Sequence, residues 1–274
     1  MSAAFEIING FRCYAPQLAQ ATADYPREGF EITAGIEAQS FWCRTRNRIL
    51  RQVFMRFTDR SRPLDVLEIG CGIGGVLREL QSIPNLRLTG AEVSLEGLSF
   101  ARASLPDVDF IQLDATSLPF REEFDVIGAF DVLEHIDADE AVIQQVHKAL
   151  RPRGMFIITV PQYQWMWSTH DELFRHKRRY DRRLLAARLE PAGFELIYVT
   201  SFITALFPLM MAARLFDRRH AAVENTGTAI TTHVDLSPAV NWIFDKVMRV
   251  DELALRLGVV LPFGGSLLAV AVKS

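Results

Sequence analysis

The chain has 274 residues, of which 49% are hydrophobic and 23% charged. This composition supports a full hydrophobic core and argues against global disorder, and the length allows one large α/β domain or one domain with an added lobe. The formal net charge of −3 does not favour nucleic-acid binding by the chain as a whole. Three separated cysteines, Cys13, Cys43 and Cys71, argue against a disulfide framework or a zinc ribbon and favour a reducing cytoplasm.

The first residues lack the basic and apolar regions of a signal peptide. Residues 1–30 predict an irregular arm, and apolar residues at helical spacing from Ile32 to Phe57 predict a helix. The most apolar stretch, residues 202–216, is shorter than the ~20 residues that span a bilayer and is interrupted by Pro208 and Arg214. We therefore expect no transmembrane segment, and peripheral membrane contact remains an open alternative.

Strand and helix patterns alternate after the N-terminal helix. The predicted strands are residues 64–69, 86–93, 108–114, 124–130, 154–160, 194–200 and 266–273. Strands separated by helical patterns predict right-handed βαβ units and a doubly wound, mostly parallel α/β sheet with both faces covered. The expected organisation is an N-terminal helical arm or lid (1–57) and a sheet domain (58–274) with a helical insertion (201–262).

The stretch VLEIGCGIGG (66–75) predicts a glycine turn between the first strand and its helix. Gly70, Gly72 and Gly75 fit the G-x-G-x-x-G spacing of dinucleotide sites. Gly70, Gly72 and Gly74 equally fit the E-x-G-x-G-x-G turn of enzymes that bind S-adenosylmethionine. Both turns open a helix after a parallel strand, so the glycines leave both ligands open.

Acidic residues near the strand ends favour the second ligand. Glu68 would repel a pyrophosphate but attract a ligand that carries a sulfonium and an ammonium group. Glu92 ends the second strand, where an acid takes ribose hydroxyls in either class of site. Asp114 ends the third strand, where a carboxylate can accept a hydrogen bond from an adenine amino group.

The segments VLEIGCGIGG, GAEVS, QLDATSLPF, FDVIGAFDVLEHI and LRPRGMFIITVP occur in that order along the chain. Together they resemble the motifs of class I S-adenosylmethionine-dependent methyltransferases of the type found in bacterial biosynthetic clusters. The resemblance implies S-adenosylmethionine as cofactor and a seven-stranded sheet of order 3-2-1-4-5-7-6 with strand 7 antiparallel.

The resemblance also implies a set of cofactor-binding residues. The methionine part would lie against the glycine turn, the ribose at Glu92, the adenine beside Val93, and the sulfonium above Asp131. The N-terminal helix would act as a lid, with Trp42 sealing the pocket and Arg46 reaching the cofactor carboxylate. The full set is Trp42, Arg46, Glu68, Gly70, Cys71, Gly72, Gly74, Glu92, Val93, Asp114, Ala115, Phe130 and Asp131.

Candidate catalytic residues follow the fourth and fifth strands. His135 can act as a general base because the pKa of histidine lies near neutrality. The basic segment 175–183 is similar to an H-x-R-R-Y stretch of related bacterial enzymes, which favours site roles for His176, Arg179 and Tyr180, with Arg179 clamping an anionic group of the acceptor. The alternative is a solvated face whose cations pair with Asp171, Glu172 and Asp181.

The D-x-x-E-H spacing of Asp131, Glu134 and His135 also resembles the E-x-x-E-H of methyltransferases that hold a divalent metal, including ubiquinone-pathway O-methyltransferases. His170 or His176 would complete such a site. Because the first position is Asp131, the match is imperfect, and the sequence analysis assigns no metal ligands. Glu134 and His135 could equally shape the loop without binding an ion.

The expected activity is methyl transfer to a small-molecule acceptor, at an oxygen or a carboxylate, in an acceptor that can be anionic. Trp165 and Trp167 are candidates to line an apolar acceptor pocket. The insertion 201–262 can roof that pocket, form a homodimer interface or rest on a membrane. The alternatives are a non-catalytic S-adenosylmethionine-binding regulatory or assembly protein and an NAD(P)-dependent reductase, and no nucleic-acid partner is expected.

Overall fold

A nine-stranded sheet runs through the protein, and its strands come from both ends of the chain. The computed structural model describes residues 4–21, 35, 37, 39–220 and 236–274. The strands are β1 (Glu6–Ile8), β2 (Phe11–Cys13), β3 (Leu64–Ile69), β4 (Leu86–Glu92), β5 (Asp109–Gln112), β6 (Phe124–Phe130), β7 (Leu150–Pro161), β8 (Phe194–Phe202) and β9 (Ser266–Lys273).

Seven of these strands follow the order that the resemblance implies. The sheet runs β1-β2-β5-β4-β3-β6-β7-β9-β8, so β3 to β9 reproduce the order 3-2-1-4-5-7-6. Neighbours among β3 to β7 pair in parallel, and β9 pairs antiparallel with both β7 and β8. The predicted fold class is confirmed, and its ligand-binding edge is the one where β3 to β7 end.

The N-terminal arm contains two strands that the sequence analysis missed. β1 and β2 form an antiparallel hairpin, and β2 pairs in parallel with β5 through Cys13 and Gln112. Asn9 and Gly10 turn the hairpin with φ of 52° and 77°, conformations that Asn and Gly tolerate. The expectation of an irregular arm is therefore wrong for this segment, because a local turn signal combines with a sheet edge that only the fold supplies.

Helices cover both faces of the sheet, as the alternating pattern predicts. They are α1 (Pro16–Ala21), α2 (Phe41–Phe57), α3 (Gly75–Leu80), α4 (Leu95–Ser104), α5 (Asp139–Ala149), α6 (Thr169–Leu173), α7 (Arg182–Leu189), α8 (Phe207–His220) and α9 (Pro238–Arg256). One face buries apolar residues of α5 and α7, and the opposite face buries those of α2, α3 and α9. The two layers hold the strand ends rigidly enough to position a site.

The helix before the sheet and the helix of the insertion pack against each other. Arg48 of α2 donates to Glu252 at 2.6 Å and to Asp245 at 2.9 Å, both on α9. The rings of Phe41 and Phe244 lie 5.2 Å apart. The predicted arm and insertion thus meet in the structure, and the domain boundary at residue 57 stays a prediction. Within the described part of the chain, no helix is long and apolar enough to cross a membrane.

Ion pairs join the amino ends of the central strands. Asp125 at the start of β6 is buried and accepts from Arg62 at 2.6 Å, Arg151 at 2.6 Å and the backbone N–H of Asp65 at 2.8 Å. Burial by itself raises the pKa of Asp125, but these donors and the positive charges outweigh it and lower the pKa below its ordinary value.

We expect Asp125→Asn to lower the free energy of unfolding by about 1–3 kcal/mol, because buried charged hydrogen bonds are lost. The measurement is urea denaturation at neutral pH, with the exposed Asp107→Asn as control. Since the folded-state pKa of Asp125 lies below the unfolded value of about 3.9, its stabilisation is complete above that pH and is lost as the pH falls through the lowered pKa. A difference between the wild type and Asp125→Asn that persists undiminished in strong acid would contradict this account.

Candidate functional site

A cavity of about 420 Å³ opens where β3, β4, β5 and β6 end. Its lining comes from the turns that follow these four strands: Ile69, Gly70, Ala91, Glu92, Val93, Leu113, Asp114, Ala115, Thr116, Asp131, Val132, His135 and Ile136. A larger cavity of about 810 Å³ lies at the amino ends of the strands, among Asp65, Arg87 and Asp109. The smaller cavity is the candidate site, because its lining includes Gly70 of the glycine turn and the strand-end acids.

The glycine turn lets the backbone approach the end of β6. Gly70, Gly72 and Gly74 have φ of 67°, 52° and 81°, which residues other than glycine rarely adopt. A Cβ atom on Gly70 would stand 2.6 Å from Cγ2 of Val132, whereas a Cβ atom on Gly72 would meet nothing within 4 Å. Gly70 is therefore required by both conformation and space.

The carboxylate of Glu92 holds two of the turns together. It accepts from the backbone N–H of Gly72 at 3.1 Å, of Val93 at 2.7 Å and of Ser94 at 3.3 Å. Burial raises the pKa of Glu92, although these three hydrogen bonds oppose the shift. The carboxylate is thus fixed in the cavity wall, and its oxygens can still accept from hydroxyl groups of a ligand.

Glu68 lies deeper in the same acidic group. It is 3% exposed, and no group in the described part of the chain donates a hydrogen bond to its Oε2. Burial raises its pKa well above the ordinary value; the charge of Arg46 opposes this shift, and the charges of Glu37 and Glu92 add to it. A buried acceptor among like charges is stabilised by a cationic ligand with N–H donors. These buried acidic acceptors therefore fit a ligand with an ammonium and a sulfonium group.

The third acid lies at the other end of the cavity. Oδ1 of Asp114 accepts from the backbone N–H of Thr116 at 2.8 Å and from its hydroxyl at 2.7 Å. These two bonds fix the carboxyl group beside Val93 and Ala115, which also line the cavity. The structure thus brings Gly70, Glu92, Val93, Asp114, Ala115 and Asp131 of the predicted cofactor set to one cavity.

Asp131 forms the end of the cavity that lies against β7. Its φ of 58° is strained for a residue other than glycine. Its Oδ2 accepts from Nη1 of Arg46 at 2.9 Å and from the hydroxyl of Thr159 at 3.1 Å. The guanidinium of Arg46 lies 4.8 Å from the ring centroid of Trp42. The predicted lid helix α2 therefore reaches the cavity through an ion pair to Asp131.

Two residues predicted beside the cofactor lie in the core instead. Phe130 is 5% exposed and packs between the sheet and α2, and Cys71 is 5% exposed and packs with the cluster under α4. Their side chains therefore support the strand ends from below. This packing argues against a direct contact between either side chain and the cofactor.

His135 and His176 come together, as their candidate catalytic roles require. Their rings lie 4.6 Å apart in an edge-on arrangement, and His135 lines the cavity while His176 lies beyond it. Burial and the neighbouring His176 lower the pKa of His135, so its imidazole is neutral at physiological pH. Glu134 lies within the same cluster.

The structure contradicts the expectation that Arg179 and Tyr180 bind the acceptor. Arg179 is 5% exposed, and its Nε and Nη2 donate to Asp171 at 2.7 and 2.9 Å. Tyr180 is fully buried, and its hydroxyl donates to Asp139 at 2.8 Å. Both side chains are saturated inside the protein because the segment folds back against α6 and the 3₁₀ turn at Leu133–His135. The basic run predicted an exposed clamp because the sequence does not show that Arg179 pairs with Asp171 and Tyr180 with Asp139.

Sequence reasoning did not place Glu37 or Asp171 in the site. Oε2 of Glu37 lies where a Cβ atom on Gly75 would be, and its charge raises the pKa of Glu68. Asp171 connects Arg179 to His176. The only sequence signal for Asp171 was its proximity to the basic run, which predicted pairing without saying with which cation.

The comparisons with known proteins agree with this geometry. The methyltransferase domain family matches residues 37–199, which contain the glycine turn, the three acids and the two histidines. A "probable S-adenosylmethionine-dependent methyltransferase" of Mycolicibacterium smegmatis is 28% identical over 173 residues, covering 62% of this chain and 65% of that protein. The ubiquinone biosynthesis O-methyltransferase of Pseudomonas syringae pv. tomato is 31% identical over 102 residues, covering 35% of this chain and 44% of that protein.

A solved structure shares the fold. Phosphoethanolamine N-methyltransferase 2 of Haemonchus contortus, in complex with S-adenosyl-L-methionine, matches with a TM-score of 0.60 and 18% identity, covering 93% of this chain and 60% of that chain. The two curated relatives are each matched over less than two thirds of their own length.

The fold and the strand-end acids define a class I S-adenosylmethionine-binding protein. The chain belongs to the methyltransferase domain family, and S-adenosylmethionine is its cofactor. The predicted class I methyltransferase family and its cofactor are confirmed, and the biosynthetic-cluster type stays a prediction. The site fits this cofactor because Glu92 and Asp114 offer acceptors in the cavity wall, and the buried Glu68 has an unpaired acceptor oxygen within the described part of the chain.

We expect Gly70→Ala to weaken cofactor binding at least about tenfold more than Gly72→Ala, which corresponds to about 1.4 kcal/mol. Both variants force alanine into a left-handed conformation, but only the first also drives a methyl group into Val132. The measurement is calorimetric titration with S-adenosylhomocysteine, after thermal unfolding has shown that both variants fold. Equal losses of affinity in the two variants would contradict the steric argument.

Proposed function

We propose that the protein transfers a methyl group from S-adenosylmethionine to an oxygen of a small-molecule acceptor, a hydroxyl or a carboxylate. The observation that carries the proposal is the cavity in which the acids at the ends of β4 and β5 meet Asp131 and His135 at the end of β6. One end of the cavity suits the cofactor. The other end carries groups that can act on an acceptor.

The cofactor would be held by residues that the structure already fixes. Glu68 offers its unpaired oxygen, Glu92 offers the carboxylate that ties the turns, and Asp114 offers the carboxyl group set by Thr116. When bound, S-adenosylmethionine supplies an electrophilic methyl group on a sulfonium sulfur that leaves as a neutral thioether. The acids of the cavity favour that positive charge.

Oxygen is favoured as the acceptor atom by the groups next to Asp131. A hydroxyl acceptor must lose its proton as its oxygen bonds to the methyl carbon, and the neutral imidazole of His135 lines the cavity where the proton would leave. A carboxylate acceptor needs only orientation beside the methyl group. The relative from Pseudomonas syringae is itself an O-methyltransferase, which supports the same choice.

An aromatic group at the same edge of the sheet is the candidate acceptor platform. The rings of Tyr163 and Trp165 stack with centroids 5.5 Å apart, and Phe207 lies 6.0 and 6.1 Å from them. These residues follow β7 and β8, on the side of Asp131 away from the adenine end. Trp165 is 48% exposed, so its ring is available to an apolar or aromatic part of the acceptor.

Two readings compete with this proposal and one experiment separates them. The purified chain is titrated calorimetrically with S-adenosylmethionine, S-adenosylhomocysteine and NADPH, then incubated with a panel of phenols, alcohols and carboxylates. We expect heat with the first two ligands, and S-adenosylhomocysteine release with a product one CH₂ heavier by mass spectrometry. Binding without turnover across the panel favours a regulatory protein, and heat with NADPH alone favours a reductase.

In the same titration, Glu92→Gln should weaken cofactor binding by about tenfold or more, because an amide N–H₂ replaces one acceptor facing the backbone N–H groups. The matched control is Glu96→Gln on α4, where the side chain is exposed. Unchanged affinity in Glu92→Gln would remove Glu92 from the cofactor site.

For the acceptor platform, we expect Trp165→Ala to raise the KM for an aromatic acceptor several-fold, about 1–2 kcal/mol for a lost stacking surface, while the Kd for S-adenosylmethionine stays unchanged. Trp242→Ala is the control, because Trp242 is 62% exposed on α9 and pairs with Lys246 there. Equal effects of the two variants on KM would contradict the platform.

A further inference from the structure

Three side chains with metal-binding atoms meet beyond the end of β6. One carboxylate oxygen of Glu134 and one ring nitrogen each of His135 and His176 all lie within 4.8 Å of one another. Glu134 and His135 come from the 3₁₀ turn Leu133–His135, and His176 comes from the segment between α6 and α7. The fold therefore assembles this cluster from two separate loops.

Glu134 is the member whose chemistry is incomplete. Glu134 is 1% exposed, and among the described residues no group donates a hydrogen bond to its Oε2. An unpaired buried carboxylate oxygen is costly, because it has lost its hydration without gaining a partner. The position therefore lacks a hydrogen-bond donor or a cation beside Oε2 of Glu134 among the described residues.

The nearest guanidinium groups are committed elsewhere. Nη1 of Arg46 donates to Asp131 at 2.9 Å, and Arg179 forms its two-pronged contact with Asp171. Neither cation supplies the hydrogen bond that Oε2 of Glu134 lacks, so a further cation is needed beside that oxygen.

His176 is oriented as a ligand rather than as a free ring. Its Nδ1 lies 2.8 Å from Oδ1 of the fully buried Asp171, which places the proton on Nδ1 and the lone pair on Nε2. Asp171 is itself held by Arg179 and by the backbone N–H of Ser168 at 2.8 Å. Carboxylates that accept from the far nitrogen of a histidine are the usual outer support of metal-binding imidazoles.

We infer that Glu134, His135 and His176 bind one divalent transition-metal cation, with Asp171 and Arg179 as positioning residues behind His176. Two imidazoles and one carboxylate on one side of an ion leave positions open for oxygen ligands, and this donor set suits zinc, manganese, iron or cobalt. The inference deepens the proposed function and rests on it in one respect: a hydroxyl acceptor bound at an open position ionises more readily. In that case His135 would hold the ion, and the hydroxyl would release its proton to solvent water as it binds, so the role of His135 as proton acceptor in the proposed function would be replaced.

The test measures the ion directly. The purified full chain is treated with EDTA, dialysed and titrated with Co²⁺ and Zn²⁺ by calorimetry and by the visible absorption of cobalt. We expect one ion per chain. Asp171→Asn should weaken binding by about 10–100-fold, the usual effect of losing outer support, and Glu134→Gln and His176→Gln should weaken it more.

His170→Gln is the matched control. His170 lies on α6 with its ring 6.1 Å from that of His176, and it contributes no atom to the cluster. This variant should keep the wild-type affinity for cobalt. Circular dichroism and the Kd for S-adenosylhomocysteine show that each variant is folded, and a conserved cofactor affinity is expected throughout.

The inference is overturned if cobalt binds with less than one equivalent, or if Glu134→Gln and His176→Gln bind it as well as the wild type does. In either case the cluster is not a metal site. The titration needs neither the cofactor nor an acceptor. Metal binding without any turnover would therefore count against the proposed function alone, and turnover that resists EDTA in a chain free of metal would count against the metal site alone.

Discussion

The carboxylate of Glu92 ties the turn after β3 to the turn after β4, and the cavity depends on that tie. This carboxylate accepts from the backbone N–H of Gly72 in the glycine turn and from those of Val93 and Ser94 in the turn after β4, which joins the two turns. The backbone can reach this position only because Gly70 has no Cβ atom where Val132 lies. Binding geometry is thus set by main chain and one carboxylate, which makes it independent of the mobility of long side chains.

Charge is distributed unevenly around this frame. Burial raises the pKa of Glu68, and the charges of Glu37 and Glu92 raise it further. Arg46 opposes this shift, but its guanidinium forms an ion pair with Asp131. The protein therefore keeps an acidic pocket beside its glycine turn, where a dinucleotide site would place a phosphate. A cofactor that carries positive charge resolves this imbalance on binding, and S-adenosylmethionine is such a cofactor.

The basic segment illustrates how tertiary pairing redirects charge. Arg178 and Arg188 pair with the nearly fully buried Asp139, and Arg179 pairs with Asp171. These cations face inward, because the fold brings them against Asp139 at the start of α5 and Asp171 within α6. Their effect is to fix Tyr180 and His176. The segment fixes the position of one imidazole, and in the proposed function the aromatic group after β7 recognises the acceptor.

The sequence by itself determined the sheet and the cofactor end of the site. Continuous apolar strands and their spacing predicted a mostly parallel sheet, and the resemblance to class I methyltransferases implied the order β5-β4-β3-β6-β7-β9-β8. The acids at the strand ends predicted the convergence of Glu92, Asp114 and Asp131, because parallel strands end at one edge. Even the missed hairpin carried a local signal at Asn9 and Gly10. Only the tertiary structure decided the roles of Arg179, Asp171 and Glu134. Burial and pairing depend on which loops meet, and no period or spacing along the chain encodes that meeting.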